Sequence, residues 1–82
     1  MAWRVIEQGD QRWQVSPAAE QHPDSRGWSL VFCFRSPGRR AVWASAPVVS
    51  PSKAAIYTHA ERMSDDTILG LLTQAIAGER QA

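Results

Sequence analysis

The residues best suited to metal or covalent chemistry are one cysteine and two histidines, and they lie far apart in the chain. Cys33 sits within an apolar run, and His22 and His59 are 37 residues apart. A structural zinc site needs four ligands, usually in closely spaced pairs, and a nucleophile needs a base beside it. We therefore expect no metal, no cofactor and no catalytic residues, with Cys33 a small buried hydrophobe.

Other patterns that can mark enzymes have simpler explanations here. The five glycines are isolated, so the sequence has neither a glycine-rich phosphate loop nor a Gly-x-Ser-x-Gly motif. The pair Asp65-Asp66 could suggest acid–base catalysis, but it suits the first turn of a helix, where the helix dipole favours carboxylates. We expect that the protein is not an enzyme.

Arginine and tryptophan are the residue types that point to binding. Residues 1–45 contain six arginines against four acidic residues, together with all four tryptophans, although the net charge of the whole chain is only +1. Both residue types are enriched in protein interface hot spots. The large apolar groups also exceed what one sheet and one helix can cover. The composition therefore favours a small non-catalytic adaptor that acts through protein–protein interaction, as a subunit of a larger complex or as a homodimer.

A candidate interface follows from the same residues. It consists of Arg12, His22, Arg35, Arg39, Arg40 and Trp43. The alternative function is single-stranded nucleic-acid binding, in which Trp43 or Trp13 stacks on bases and the arginines contact phosphates. The same residues can be explained without any ligand. The arginines would then lie on a solvated sheet edge, and His22 would be a solvated loop histidine.

Length limits the organisation of the molecule. The 82 residues allow one domain, over 1–82. One cysteine permits no intrachain disulfide. No stretch approaches the roughly 20 apolar residues that span a bilayer, and the N-terminal segment, with Arg4, Glu7 and Asp10, lacks the apolar run of a signal peptide. We expect a cytoplasmic protein with no membrane partner.

The elements that must position these residues begin with a hairpin. Residues 2–8 and 11–16 alternate between apolar and polar side chains on either side of Gly9-Asp10. A loop of odd length would place Trp3, Val5, Trp13 and Val15 on one face, whereas a two-residue loop would pair Ile6 with Trp13. We expect the odd loop, with a bulge at Gly9. Residues 16–27, with two prolines, are expected to form a long loop.

A second hairpin follows. Residues 28–35 read as a strand, residues 36–39 as a turn and residues 40–46 as a fourth strand. A two- or four-residue loop would bring Trp43 opposite Phe32, and a three-residue loop would bring Val42 to the core instead. The sequence leaves both registers open.

The remainder of the chain favours helices. Residues 53–63 have helical spacing with Ser50 or Ser52 as a cap, although residues 55–58 also suit a strand. Residues 65–77 follow the cap Ser64 with a strong apolar stripe. The predicted fold is therefore α+β, with a four-stranded antiparallel sheet packed on a C-terminal helix. A short second helix before the C-terminal helix is the favoured interpretation of residues 53–63. The predicted core is Val5, Trp13, Val15, Trp28, Leu30, Phe32, Phe34, Ile68, Leu69, Leu72 and Ile76.

Overall fold

One antiparallel sheet and two helices make up the described part of the chain. The computed structural model describes residues 3–21 and 27–81, and only the backbone of 79–81. The elements in chain order are β1 (Arg4–Gln8), β2 (Gln11–Gln21), β3 (Trp28–Arg35), β4 (Val42–Ser50), α1 (Lys53–Arg62) and α2 (Asp65–Gln81). The strands lie in the order β1-β2-β3-β4, and both helices pack on one face of the sheet. The predicted α+β class, four-stranded sheet and C-terminal helix are confirmed.

Serine caps begin both helices. The Ser52 hydroxyl accepts a hydrogen bond from the Ala55 amide (3.3 Å), and the Ser64 hydroxyl accepts one from the Thr67 amide (3.2 Å). Each cap satisfies an amide that has no partner within its helix. The helical reading of 53–63 is thus confirmed over Lys53–Arg62, with Ser52 rather than Ser50 as the cap.

The predicted odd loop of the first hairpin is wrong. The strands pair Ile6 with Trp13 across a two-residue loop, Gly9-Asp10. Gly9 has a φ of 58°, and no described non-glycine residue has a positive φ, which matches a type II′ turn with glycine at its first central position. The turn geometry decided the register, so Ile6 is only 4% exposed whereas Val5, a predicted core residue, is 48% exposed.

The prediction of a loop over residues 16–27 is wrong for residues 16–21. Strand β2 continues to Gln21 and pairs Ser16 with Cys33 and Gln21 with Trp28; residues 22–26 lie outside the described residues. Pro17 does not interrupt the strand, because β1 pairs only as far as Val15 and β2 is an edge beyond it. A proline is tolerated where its missing N–H would have faced no neighbouring strand.

Strand β4 is also longer than expected, and it is shifted. It spans Val42–Ser50, pairs Val42 with Phe34, and contains Pro47, which an edge strand accommodates. Of the two registers left open, the one that brings Val42 to the core is correct. The pairing shifts by two residues between Ser29 and Val31, which leaves extra residues of β4 bulged around Pro47.

The core lies between the sheet and the helices. Most of the predicted core residues are buried there, while Trp28, Leu69 and Ile76 are only partly buried against it. Five residues that the prediction lacked complete the core, from the hairpins and from α1: Ile6, Val42, Ala46, Ile56 and Ala60. They were missed because the strand registers and the packing of α1 could not be read from the pattern.

Arg4 ties the first strand to the corner between the helices. Its guanidinium donates hydrogen bonds to the carbonyl oxygens of Met63 and Glu61 (2.9 Å for Glu61), and it forms an ion pair with Asp65 at 3.1 Å. The side chain is only 22% exposed. Because the last carbonyls of a helix have no partner within the helix, Arg4 acts as the cap for the C-terminal end of α1.

Within residues 3–21 and 27–81, neither helix is long and apolar enough to cross a membrane.

Candidate docking surface

The alternation of β3 defines two faces of the sheet. Leu30, Phe32 and Phe34 point to the helices, so Val31, Cys33 and Arg35 point to the opposite side. Both described helices lie on the first side. We call the second side the open face.

The centre of the open face is apolar and is covered by its own strands. Val31 is 8% exposed and Cys33 is 4% exposed. Val31 lies between Ala18 and Ser45, and Cys33 lies between Ser16 and Trp43, in the register of the sheet. Such cross-strand neighbours stand close enough to shield one another from water.

Trp43 dominates the outer part of this face. It lies on β4 directly across from Cys33 and is 59% exposed. Val5 on β1 and Val49 beyond the bulge of β4 are also exposed, but both lie apart from Trp43 in the register of the sheet. Trp43 is therefore a single exposed aromatic side chain beside the buried centre formed by Val31 and Cys33.

Two of the predicted arginines share the open face. Arg35 ends β3 across from Gln14, and Arg12 lies on β2 across from Glu7. The Arg12–Glu7 ion pair is 3.3 Å long, with both side chains largely in solvent, so it contributes little to stability. No described carboxylate pairs with Arg35, which leaves its charge available to a ligand.

Of the other two arginines, Arg39 ends the adjoining turn and Arg40 follows it. Residues Ser36–Arg39 close on a hydrogen bond from the Arg39 amide to the Ser36 carbonyl (3.2 Å), and Gly38 has a φ of 74°. These features match a type II turn with Pro37 and Gly38 at its centre. The Ser36 hydroxyl also donates to the Arg12 carbonyl (2.6 Å), so the turn is fastened to β2.

Arg39 and Arg40 flank a shallow cavity at this end of the sheet. The cavity measures about 240 Å³ and reaches Trp13 and Ile76. The Arg39 guanidinium lies 5.6 Å from the centroid of the Trp13 ring, on the helix side of the sheet. No described acidic side chain forms an ion pair with Arg39 or Arg40.

The structure thus brings three of the six predicted residues, Arg12, Arg35 and Trp43, to one face and places Arg39 and Arg40 beside it. His22 lies outside the described residues. The stacking role considered for Trp13 is wrong as stated, since this ring is buried under the helices. Sequence reasoning missed Val49 and Ser45, because β4 was expected to end at Ala46 and its register was open.

Neither metal sites nor known relatives add to this surface. Among residues 3–21 and 27–81, no three His, Cys, Asp or Glu side chains come together as metal ligands would. No protein-family model, no curated protein and no solved structure matches the chain.

Proposed function

We propose that this chain is a small non-catalytic accessory protein that binds a partner protein through the open face. The observation that carries the proposal is Trp43, which is 59% exposed on a sheet face whose central side chains are buried although both described helices lie on the other face. A large, rigid aromatic group at the margin of a dry apolar centre has the composition of an interface hot spot.

Charge supports a partner with acidic groups. Arg35, Arg39 and Arg40 cluster at one end of the sheet, and no described carboxylate neutralises them. Guanidinium groups bind carboxylates with two parallel hydrogen bonds. We therefore propose a partner that places an apolar side chain against Trp43 and a carboxylate against Arg35, which shares the open face, with the exposed charge mainly increasing the rate of association.

Nucleic acid is the less favoured ligand. Proteins that bind single strands through a sheet stack several bases on several aromatic rings. Trp3, Trp13 and Trp28 all pack with the core on the helix side, so Trp43 is the one tryptophan on the open face of the described residues. Glu7 and Glu20 share that face, where they would repel phosphates.

We also propose that the protein works in the cytoplasm. The support is Cys33, the single cysteine of the chain, which is buried as a free thiol. Small domains of oxidising compartments usually rely on disulfides. Recovery of the native protein in the soluble cytoplasmic fraction of its source cells would agree with this proposal, and recovery in a secreted fraction would contradict it.

The test begins with a tagged wild-type chain used to capture partners from nuclease-treated lysate. Any stoichiometric partner is then purified and titrated against the wild type and against two variants, Trp43→Ala and Tyr57→Ala. Tyr57 is an exposed aromatic residue on α1, away from the open face, and serves as the matched control. We expect Trp43→Ala to weaken binding by roughly 30-fold or more, as hot-spot residues do, and Tyr57→Ala to leave it unchanged.

Two results would contradict the proposal. A partner that binds Trp43→Ala as tightly as the wild type would place the interface elsewhere. If no protein is captured and the purified chain binds a single-stranded oligonucleotide with an affinity that falls steeply with salt, the nucleic-acid alternative would replace it.

A further inference from the structure

The two outer strands of the sheet differ in how they are protected against pairing. β1 has five residues and carries Arg4 and Glu7, whereas the nine residues of β4 (VWASAPVVS) include no charged side chain. Proteins usually protect exposed strand edges with charges, proline, bulges or short length. By this criterion β4 is the less protected edge.

Only the second half of β4 has such protection. Pro47 and the bulge around it interrupt the outer edge there, because proline cannot donate a hydrogen bond to another strand. In the first half, Val42–Ala46, the residues as far as Ser45 pair regularly with β3 on one side, and no described strand pairs with them on the other. We call this five-residue stretch the free edge.

A groove runs beside the free edge, between β4 and α2. It measures about 290 Å³, and all six of its lining residues are uncharged: Trp43, Ala44, Ser45, Leu71, Gln74 and Ala75. Three of them are alanine or serine, which allow a neighbouring backbone to approach closely. The apolar side chains of α2 and Trp43 flank the strand on its two sides.

We propose that the free edge pairs with the same edge of a second copy of this chain, antiparallel and about a two-fold axis. A two-fold contact places each surface against itself, so a charge close to the axis meets its own copy. The free edge and its groove carry none, and they are therefore self-complementary in charge. Backbone hydrogen bonds would join the two sheets into one of eight strands.

The proposed pairing uses the backbone edge of β4, whereas the partner proposed above contacts side chains of the open face; Trp43 borders both surfaces. Pairing would bring the two Trp43 side chains near each other on a continuous open face, where cross-strand aromatic contacts are favourable. It would also bring together Leu71 and Ala75 of both α2 helices, since these residues line the groove beside β4.

The test measures the solution mass of the purified chain by sedimentation equilibrium. We compare the wild type with Ser45→Lys, which puts a charge on the free edge, and with Gln14→Lys, which puts the same charge on the open face within the sheet. Both positions are exposed. We expect the wild type to have twice the mass of the 9.1 kDa chain. Ser45→Lys should raise the dissociation constant of the dimer at least 10-fold, and Gln14→Lys should leave it unchanged. Circular dichroism checks that each variant is folded.

Three results would overturn the proposal. The first is a wild type with the mass of a single chain at concentrations up to roughly 1 mM. The second is a dimer that Ser45→Lys leaves intact. The third is a dimer that Gln14→Lys dissociates as readily as Ser45→Lys, which would indicate face-to-face packing. If Ser45→Lys fails to fold, hydrogen exchange of the wild type decides, since pairing requires amides of Val42–Ala46 to become more protected as concentration rises.

Discussion

Strand β3 is buried on both sides, but by different means on each. Leu30, Phe32 and Phe34 are completely buried beneath two helices, whereas Val31 and Cys33 are nearly as buried on the face where the described residues include no helix. On that face the neighbouring strands shield the centre of the sheet. Trp43, on the outer strand β4, remains exposed.

The aromatic residues sharpen this contrast. On the helix side, Trp3 stacks on Phe32 with ring centroids 6.0 Å apart, Arg4 lies 4.5 Å over the Trp3 ring and Lys53 lies 5.3 Å over the Trp28 ring. These rings are held by other rings and by cations from several elements. Trp43 has no ring contact of this kind among the described residues. The covered face supplies stability, and the open face keeps its large apolar group available.

The largest effect is expected where the helices cover the sheet. Leu72 is completely buried in α2, so Leu72→Ala should lower the free energy of unfolding by about 2–5 kcal/mol through lost burial and a residual cavity. Urea denaturation followed by circular dichroism measures it. Gln74, two positions further along α2, is exposed and provides the control; at concentrations where the chain is a monomer, Gln74→Ala should change stability by less than about 0.5 kcal/mol. A Leu72→Ala variant as stable as wild type would mean that α2 does not cover the core.

A smaller effect is expected at the arginine that joins the sheet to the helix corner. Arg4→Ala removes hydrogen bonds from a charged group to partly buried carbonyls, and it should destabilise the protein by about 1.5–3 kcal/mol. Arg12→Ala breaks an ion pair that is largely in solvent, and it should cost less than about 1 kcal/mol. Equal losses in the two variants, measured by the same denaturation, would contradict the capping role of Arg4.

The smallest effect on stability is expected on the open face. Trp43→Ala should lower the free energy of unfolding by about 1–2 kcal/mol, because more than half of this side chain is already in water. Trp28→Ala, which removes a ring packed against the core, should cost several times more by thermal unfolding. A large loss in Trp43→Ala would show that Trp43 stabilises the fold, and it would weaken the case that the residue serves a partner.

The sequence predicted the elements whose signals are local. The alternation of β3, the Ser64 cap and the apolar stripe of α2 each depend on a few neighbouring residues, and each is confirmed. The prediction for the first hairpin was wrong because its register was argued from the apolar pattern alone. The Gly9-Asp10 pair carried a competing signal, the preference of a two-residue type II′ turn for glycine at its first position.

Prolines account for the other errors. Pro17 and Pro47 were treated as ends of strands, but each lies where the strand is an edge of the sheet, and edge positions accept proline. Which strands are edges is a property of the tertiary structure. The candidate surface also depends on tertiary structure. The alternation of side chains along β3 placed Arg35 and Cys33 on one side of the strand, but only the packing of α1 and α2 determined which side of the sheet the helices leave open.

The order of elements along the chain has a consequence for synthesis. All four strands, Arg4 to Ser50, precede both helices, so a ribosome completes the sheet before any of its cover exists. At translation rates of about 5–20 residues per second, the roughly 30 residues of the two helices take about 2–6 s to make. Until these residues have left the ribosome, the sheet has no helices to cover its aromatic side. A transcript truncated before Lys53 would therefore yield a sheet with one uncovered apolar side, which is a substrate for chaperones and for aggregation.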